Sequence, residues 1–187
     1  MHADKGVILL PIARAAISTA LQLPMTADES APWLAEQAAC FVTLSQRGQL
    51  RGCIGSLQAH RSLLADVKSN AVSAALHDPR FMPLSADELG ITDIEISLLT
   101  PQQVMQFRDE ADALSQIRPG EDGIVFEYGH YRSTFLPQVW EQLPDPHQFM
   151  AHLKRKAGLP ADFWDENITL SRYSVSKYKE NHHGRAH

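Results

Sequence analysis

The chain has 187 residues, 44% hydrophobic and 21% charged, with a net charge of −5. That length fits one domain with a sizeable core, and the acidic balance argues against a broadly basic nucleic-acid binder. Two cysteines, Cys40 and Cys53, are too few for a disulfide framework and lack metal-ligand spacing, which suits a reducing cytoplasm.

Val7 to Leu21 carries apolar residues at near-helical spacing. Pro11 fits such a helix only in its first turn. The same stretch does not read as a signal peptide, because Arg14 follows the short apolar run and no cleavage region is evident. No segment approaches the roughly 20 apolar residues of a spanning helix. Leu23 to Pro32 reads as a loop. Phe41 to Leu44 and Leu50 to Gly55, joined by the Gly-containing link Ser45 to Gln49, predict a β-hairpin. Pairing of these strands would also bring Cys40 near Cys53.

Ser62 to His77 returns to helical spacing and ends before Asp78-Pro79. Ile91 to Leu99 alternates as a half-buried strand, stopped at Thr100-Pro101. Pro119 to Gly123 marks a turn, and Ile124 to Tyr128 with Tyr131 to Phe135 predicts a second hairpin about Gly129-His130. Asp145 as N-cap, Pro146 at N1 and Gly158 beyond the end delimit a helix whose basic last turn, Lys154 to Lys156, complements its dipole. Ile168 to Tyr178 reads as one last strand, and residues 181–187 as a polar tail on a domain of residues 1–180. Irregular alternation and two hairpins favour an α+β fold with a mainly antiparallel sheet flanked by helices.

The densest chemistry lies in Leu50-Arg51-Gly52-Cys53-Ile54-Gly55. Two glycines in a strand suggest close approach to the backbone. Strict alternation puts Arg51, Cys53 and Gly55 on one face and Leu50, Gly52 and Ile54 on the other. A cation beside a thiol favours the thiolate, making Cys53 a candidate nucleophile, and Gly55 would leave space beside it. The same residues also suit a packed core Cys beside a structural Arg. His60, His77 and His130 are candidate bases for Cys53. Asp78-Pro79-Arg80-Phe81 is a second cluster: Asp78 and Arg80 would pair across the turn, or Arg80 would bring a second cation to the Cys53 face. Arg47, Arg51, Arg61 and Arg80 prompt a nucleic-acid reading, weakened by poor aromatic interleaving. No Gly-x-Gly-x-x-Gly or Walker loop signals a cofactor, and the nine histidines offer no metal-ligand spacing.

These stretches together resemble the AMMECR-type domain, protein A of the AmmeMemoRadiSam system. The resemblance runs through Phe41 to Leu44, Leu50 to Gly55, Asp78 to Phe81, Ile94 to Pro101, Pro119 to Gly123, Thr134 to Val139 and Lys156 to Leu159, in the family's order. Cys40 departs from it, standing where a small residue such as Gly or Ala is usual. It implies a two-lobed α+β protein with a smaller β-containing lobe. It also implies association with a Memo-like protein and a radical S-adenosylmethionine enzyme, and a functional surface at Leu50 to Gly55. It brings no established reaction.

Overall fold

The computed structural model describes residues 4–180. It comprises two units, one formed by the chain up to Leu99 with the segment from Ser176, the other by Thr100–Val175.

The first unit contains helix α1 (Gly6–Ala20), strands β1 (Ala39–Gln46) and β2 (Gln49–Gly55), helix α2 (Leu63–Leu76) and strand β3 (Asp93–Leu99), with 3-10 turns at Pro32–Ala35 and Ala86–Ile91. Pro11 lies six residues into α1, beyond the first turn. The expected restriction fails because the carbonyl that Pro11 leaves unpaired belongs to Val7, four residues back on the exposed side of the helix, where water can satisfy it. Ser62 caps α2 by accepting from the Ala65 N–H. Leu9, Ile12 and Ile17 of α1 and Val67, Ala71 and Ala74 of α2 bury against Val42, Leu44, Ile94 and Ile96, one face of the sheet.

The second unit holds strands β4 (Gln103–Val104), β5 (Gly123–Tyr128), β6 (Tyr131–Phe135) and β7 (Thr169–Tyr173), with helices α3 (Glu110–Gln116) and α4 (Pro146–Ala157) and a 3-10 turn at Pro137–Glu141. Its core stacks Trp140 on Phe149, ring centroids 3.8 Å apart, with Ile124, Phe126 and Leu153 around them. The helix dipole alone does not account for the basic end of α4. Lys154 is buried and bonds Glu110 at 2.8 Å, so it serves packing and pairing instead.

Both sheets have four strands, ordered β2-β1-β3-β8 and β4-β7-β5-β6, where β8 is Val175–Lys179. The β1–β2, β1–β3, β5–β6, β5–β7 and β4–β7 ladders are antiparallel. The single last strand read from Ile168 to Tyr178 is two strands in different sheets. Ser174 breaks it by exchanging hydrogen bonds with Thr100, its amide to Thr100 Oγ1 and its carbonyl from the Thr100 amide. No helix among the described residues is long and apolar enough to cross a membrane. The expected tail, residues 181–187, lies outside the described residues.

Candidate functional site

The β1–β2 hairpin sets the site. Arg47 and Gly48 both have positive φ, 52° and 79°, as a tight two-residue hairpin turn requires. The turn fixes Gln46 opposite Gln49 and Ser45 opposite Leu50. A register shift then leaves Arg51 as an extra residue on β2, after which Leu44 faces Gly52 and Thr43 faces Cys53. Without this bulge the ladder would place Cys53 opposite Val42, on the core face. The bulge is what turns the thiol outward.

Strict alternation therefore fails in the first half of the motif. Leu50, expected on the core side with Gly52 and Ile54, is exposed opposite Ser45. Arg51 does not serve the thiol. Its side chain is only 14% exposed and its guanidinium grips Glu88 through Nε at 3.1 Å and Nη2 at 3.3 Å. Glu88 also accepts from Gln46 Nε2 and from the Ser85 amide, closing a capping box on the turn at Ala86–Ile91. The Arg51 hydrogen bonds, then that of Gln46, hold the Glu88 carboxyl down to about 2.

The two glycines both serve close packing. A Cβ on Gly52 would lie 2.2 Å from the carbonyl oxygen of Ala74, so β2 touches the backbone of α2 there. Gly55 does not leave space beside Cys53, because the Phe41 ring, directly across the ladder, fills it. Ile54 packs against the core as expected.

Cys53 is partly buried, and its Sγ lies 3.3 Å from Thr43 Oγ1. Its amide points out of the sheet edge and donates to Asp78 Oδ2 at 3.0 Å. Asp78 is buried and also accepts from the Arg80 amide, Nε and Nη2, the last at 2.7 Å. These bonds, with that of Arg80 foremost, hold the Asp78 carboxyl far below the usual carboxylate range. The Arg80 side chain stays 54% exposed, its Nη2 is 3.5 Å from the Cys53 carbonyl, and its guanidinium lies 5.4 Å from the Phe81 ring centroid. The Arg51 guanidinium approaches the same ring at 5.8 Å.

Cys40 is not a neighbour of Cys53 in the sense a disulfide needs. It faces the core beside Val42, whereas Cys53 faces out beside Thr43. Burial, then the Asp66 carboxylate beside it, pushes the Cys40 thiol well up from its ordinary value. Asp66 and Asn70, one turn apart on the buried stripe of α2, were not singled out from the sequence. Asp66 accepts from the Cys40 amide, Ser56 Oγ, Arg61 Nε and Asn70 Nδ2. Their register with Leu63, Val67 and Ala74 was the available signal. Glu88 was readable from Ser85-x-x-Glu88.

Among the described residues the hydrogen-bond partner of the Cys53 thiol is Thr43, not a histidine. His77 ends α2, His60 Nδ1 lies 3.1 Å from the Gln58 carbonyl, and within the second unit His130 packs at a tilt on Tyr131. Among the described residues no three His, Cys, Asp or Glu side chains gather as a metal site would require. Three of the four arginines behind the nucleic-acid reading are engaged by carboxylates: Arg51 by Glu88, Arg61 by Asp66 and Arg80 by Asp78.

A family model described as AMMECR1 matches residues 10–178. The chain belongs to the AMMECR1 family. The protein MJ0810 of Methanocaldococcus jannaschii is 35% identical over 182 residues, 95% of this chain and 90% of that one. A protein of Methanothermobacter thermautotrophicus is 37% identical over 185 residues, 95% of each chain. The crystal structure of the uncharacterised protein PH0010 from Pyrococcus horikoshii superposes with a TM-score of 0.82 at 31% identity, covering 97% of this AMMECR1-family chain and 94% of the other.

Proposed function

We propose that this chain is a binding component of an AmmeMemoRadiSam-type system, acting with a Memo-like protein and a radical S-adenosylmethionine enzyme. Its contact surface is the outer edge of β2 with the Asp78–Phe81 segment. The observation behind this reading is Arg80: the buried Asp78 carboxylate, accepting from the Arg80 amide, Nε and Nη2, orients a half-exposed guanidinium beside Cys53 and over Phe81. A fork fixed in this way loses little freedom when it meets an anionic or planar group. The test is recovery of both partners with a tagged chain at native levels, comparing wild type with Arg80→Ala and Arg80→Lys. Loss with alanine and partial retention with lysine supports the surface. Equal recovery with all three rejects the surface, and no physical or genetic dependence on either partner rejects the system.

One observation favours an enzymatic second reading. The Cys53 thiol, turned outward by the bulge, has a hydroxyl partner 3.3 Å away. As a nucleophile it would attack an electrophilic substrate from the outer face of the sheet. Alkylation of Cys53 as a function of pH, in a Cys40→Ala background, tests this. A rate that rises only through the ordinary thiol range, near pH 8.5, reduces Cys53 to packing.

A further inference from the structure

Away from that site, α1, α2 and the loop of residues 22–31 enclose a half-open groove of about 480 Å³. Ile12, Ala16 and Ala20 of α1, Val72 of α2, and Met25 and Ala27 of the loop supply its apolar walls. The three α1 residues recur every fourth position, so they form one face, and two of them are alanines that keep the groove floor close to the helix backbone. The loop does not collapse onto that floor. Ser18 Oγ donates to the Leu23 carbonyl, Thr19 Oγ1 to the Met25 carbonyl and Lys68 Nζ to Glu29 at 2.8 Å. The volume lies within the range of about 300–1,000 Å³ typical of small-molecule pockets, and the lining has the usual character, apolar with a few convergent polar groups.

We infer that this groove binds a small aliphatic carboxylate, its chain along the alanine face of α1 and its headgroup on Lys68. The charge argument rests on where the two members of the Lys68–Glu29 pair are carried. Both side chains are nearly half exposed, 46% and 42%, so their mutual attraction is weak. Glu29 belongs to the irregular loop and can turn to water when a ligand carboxylate replaces it. Lys68 is fixed to α2 and stays at the groove. An aliphatic ammonium would instead have to displace Lys68 and lie against its charge. The occupant that the groove favours is therefore anionic at one end and apolar along its length.

Titration calorimetry of the full chain with decanoate, decanol and decylamine, each below its aggregation concentration, tests the assignment. Decanoate binds one per chain, more tightly than decanol, and decylamine binds least. Lys68→Gln weakens decanoate by up to about tenfold and leaves decanol unchanged. Ala16→Leu fills the groove and removes binding of all three with the circular dichroism and unfolding midpoint of wild type. Ala27→Leu, on the loop, blocks the same space should the helix substitution disturb folding. Absence of saturable one-to-one binding, decylamine binding tighter than decanoate, or wild-type affinity in a folded leucine variant overturns the inference.

Discussion

Replacing Gly52 by alanine is the sharpest perturbation that the β2 geometry offers. The added Cβ would sit 2.2 Å from the Ala74 carbonyl oxygen, about 1 Å inside ordinary carbon–oxygen contact. The obstacle is helix backbone, which cannot rotate away, so α2 must slide off β2 or the strand must bend. Overpacking of this kind costs about 1–3 kcal/mol. Alanine recovers roughly 0.5 kcal/mol by restricting the unfolded chain, since φ at Gly52 is not in the left-handed region. The net loss is about 1.5 kcal/mol, or roughly 3–6 °C in unfolding midpoint for a chain of this size. Gly55→Ala meets the root of the half-buried Phe41 ring instead, a side chain that must turn about χ1 where the Ala74 backbone cannot, and should lose about 1 kcal/mol, less than Gly52→Ala. Urea unfolding of both variants beside wild type gives the comparison. Equal midpoints for the two, or a Gly52→Ala protein within 0.5 kcal/mol of wild type, would refute the backbone-contact argument.

Other expectations follow from the polar network. The Glu88 carboxyl, held at about 2, lies below its unfolded value, so its stabilisation is complete above about pH 4.5 and is lost as pH falls toward 2. Urea midpoints of Glu88→Gln and wild type should therefore differ by about 1–2 kcal/mol at pH 6 and converge in acid; a constant gap would contradict the pairing with Arg51. Asp66→Ala removes the acceptor of the Cys40 amide, Ser56, Arg61 and Asn70, and should cost about 3 kcal/mol or more; a loss under 1 kcal/mol would mean that water replaces the carboxylate. Iodoacetamide should label one thiol in the folded chain, Cys53, with identical stoichiometry in Cys40→Ala. Two labels before unfolding would place Cys40 nearer solvent than its burial implies.

Much of the architecture was legible from local patterns. Ser62 and Asp145 mark helix starts and Gly158, at φ 99°, a helix end, because capping depends on residues within one turn. The two hairpins follow from turn residues and alternation. What escaped depends on partners far along the chain. The bulge at Arg51 leaves no mark in composition, yet it decides that Leu50 is exposed and that Arg51 goes to Glu88 instead of the thiol. Ser174 reads as a strand residue until Thr100, 74 positions earlier, takes its backbone bonds. Cys53 was singled out by its neighbours in sequence, but its actual partners, Thr43 and Asp78, come from strand register and from the end of a helix.

The position of Cys53 on the outermost strand bears on how anything can join this sheet. An edge strand ordinarily offers its free amides and carbonyls as a template for another chain. Here the template is blocked at its middle, because Asp78 takes the Cys53 amide and Arg80 lies against the Cys53 carbonyl. A partner cannot extend the sheet by backbone zippering without first prising apart an ion pair whose carboxylate is buried. Under the proposed function, recognition at this edge runs through side chains, and Asp78→Ala would expose a sticky strand prone to strand-to-strand oligomers that grow with protein concentration.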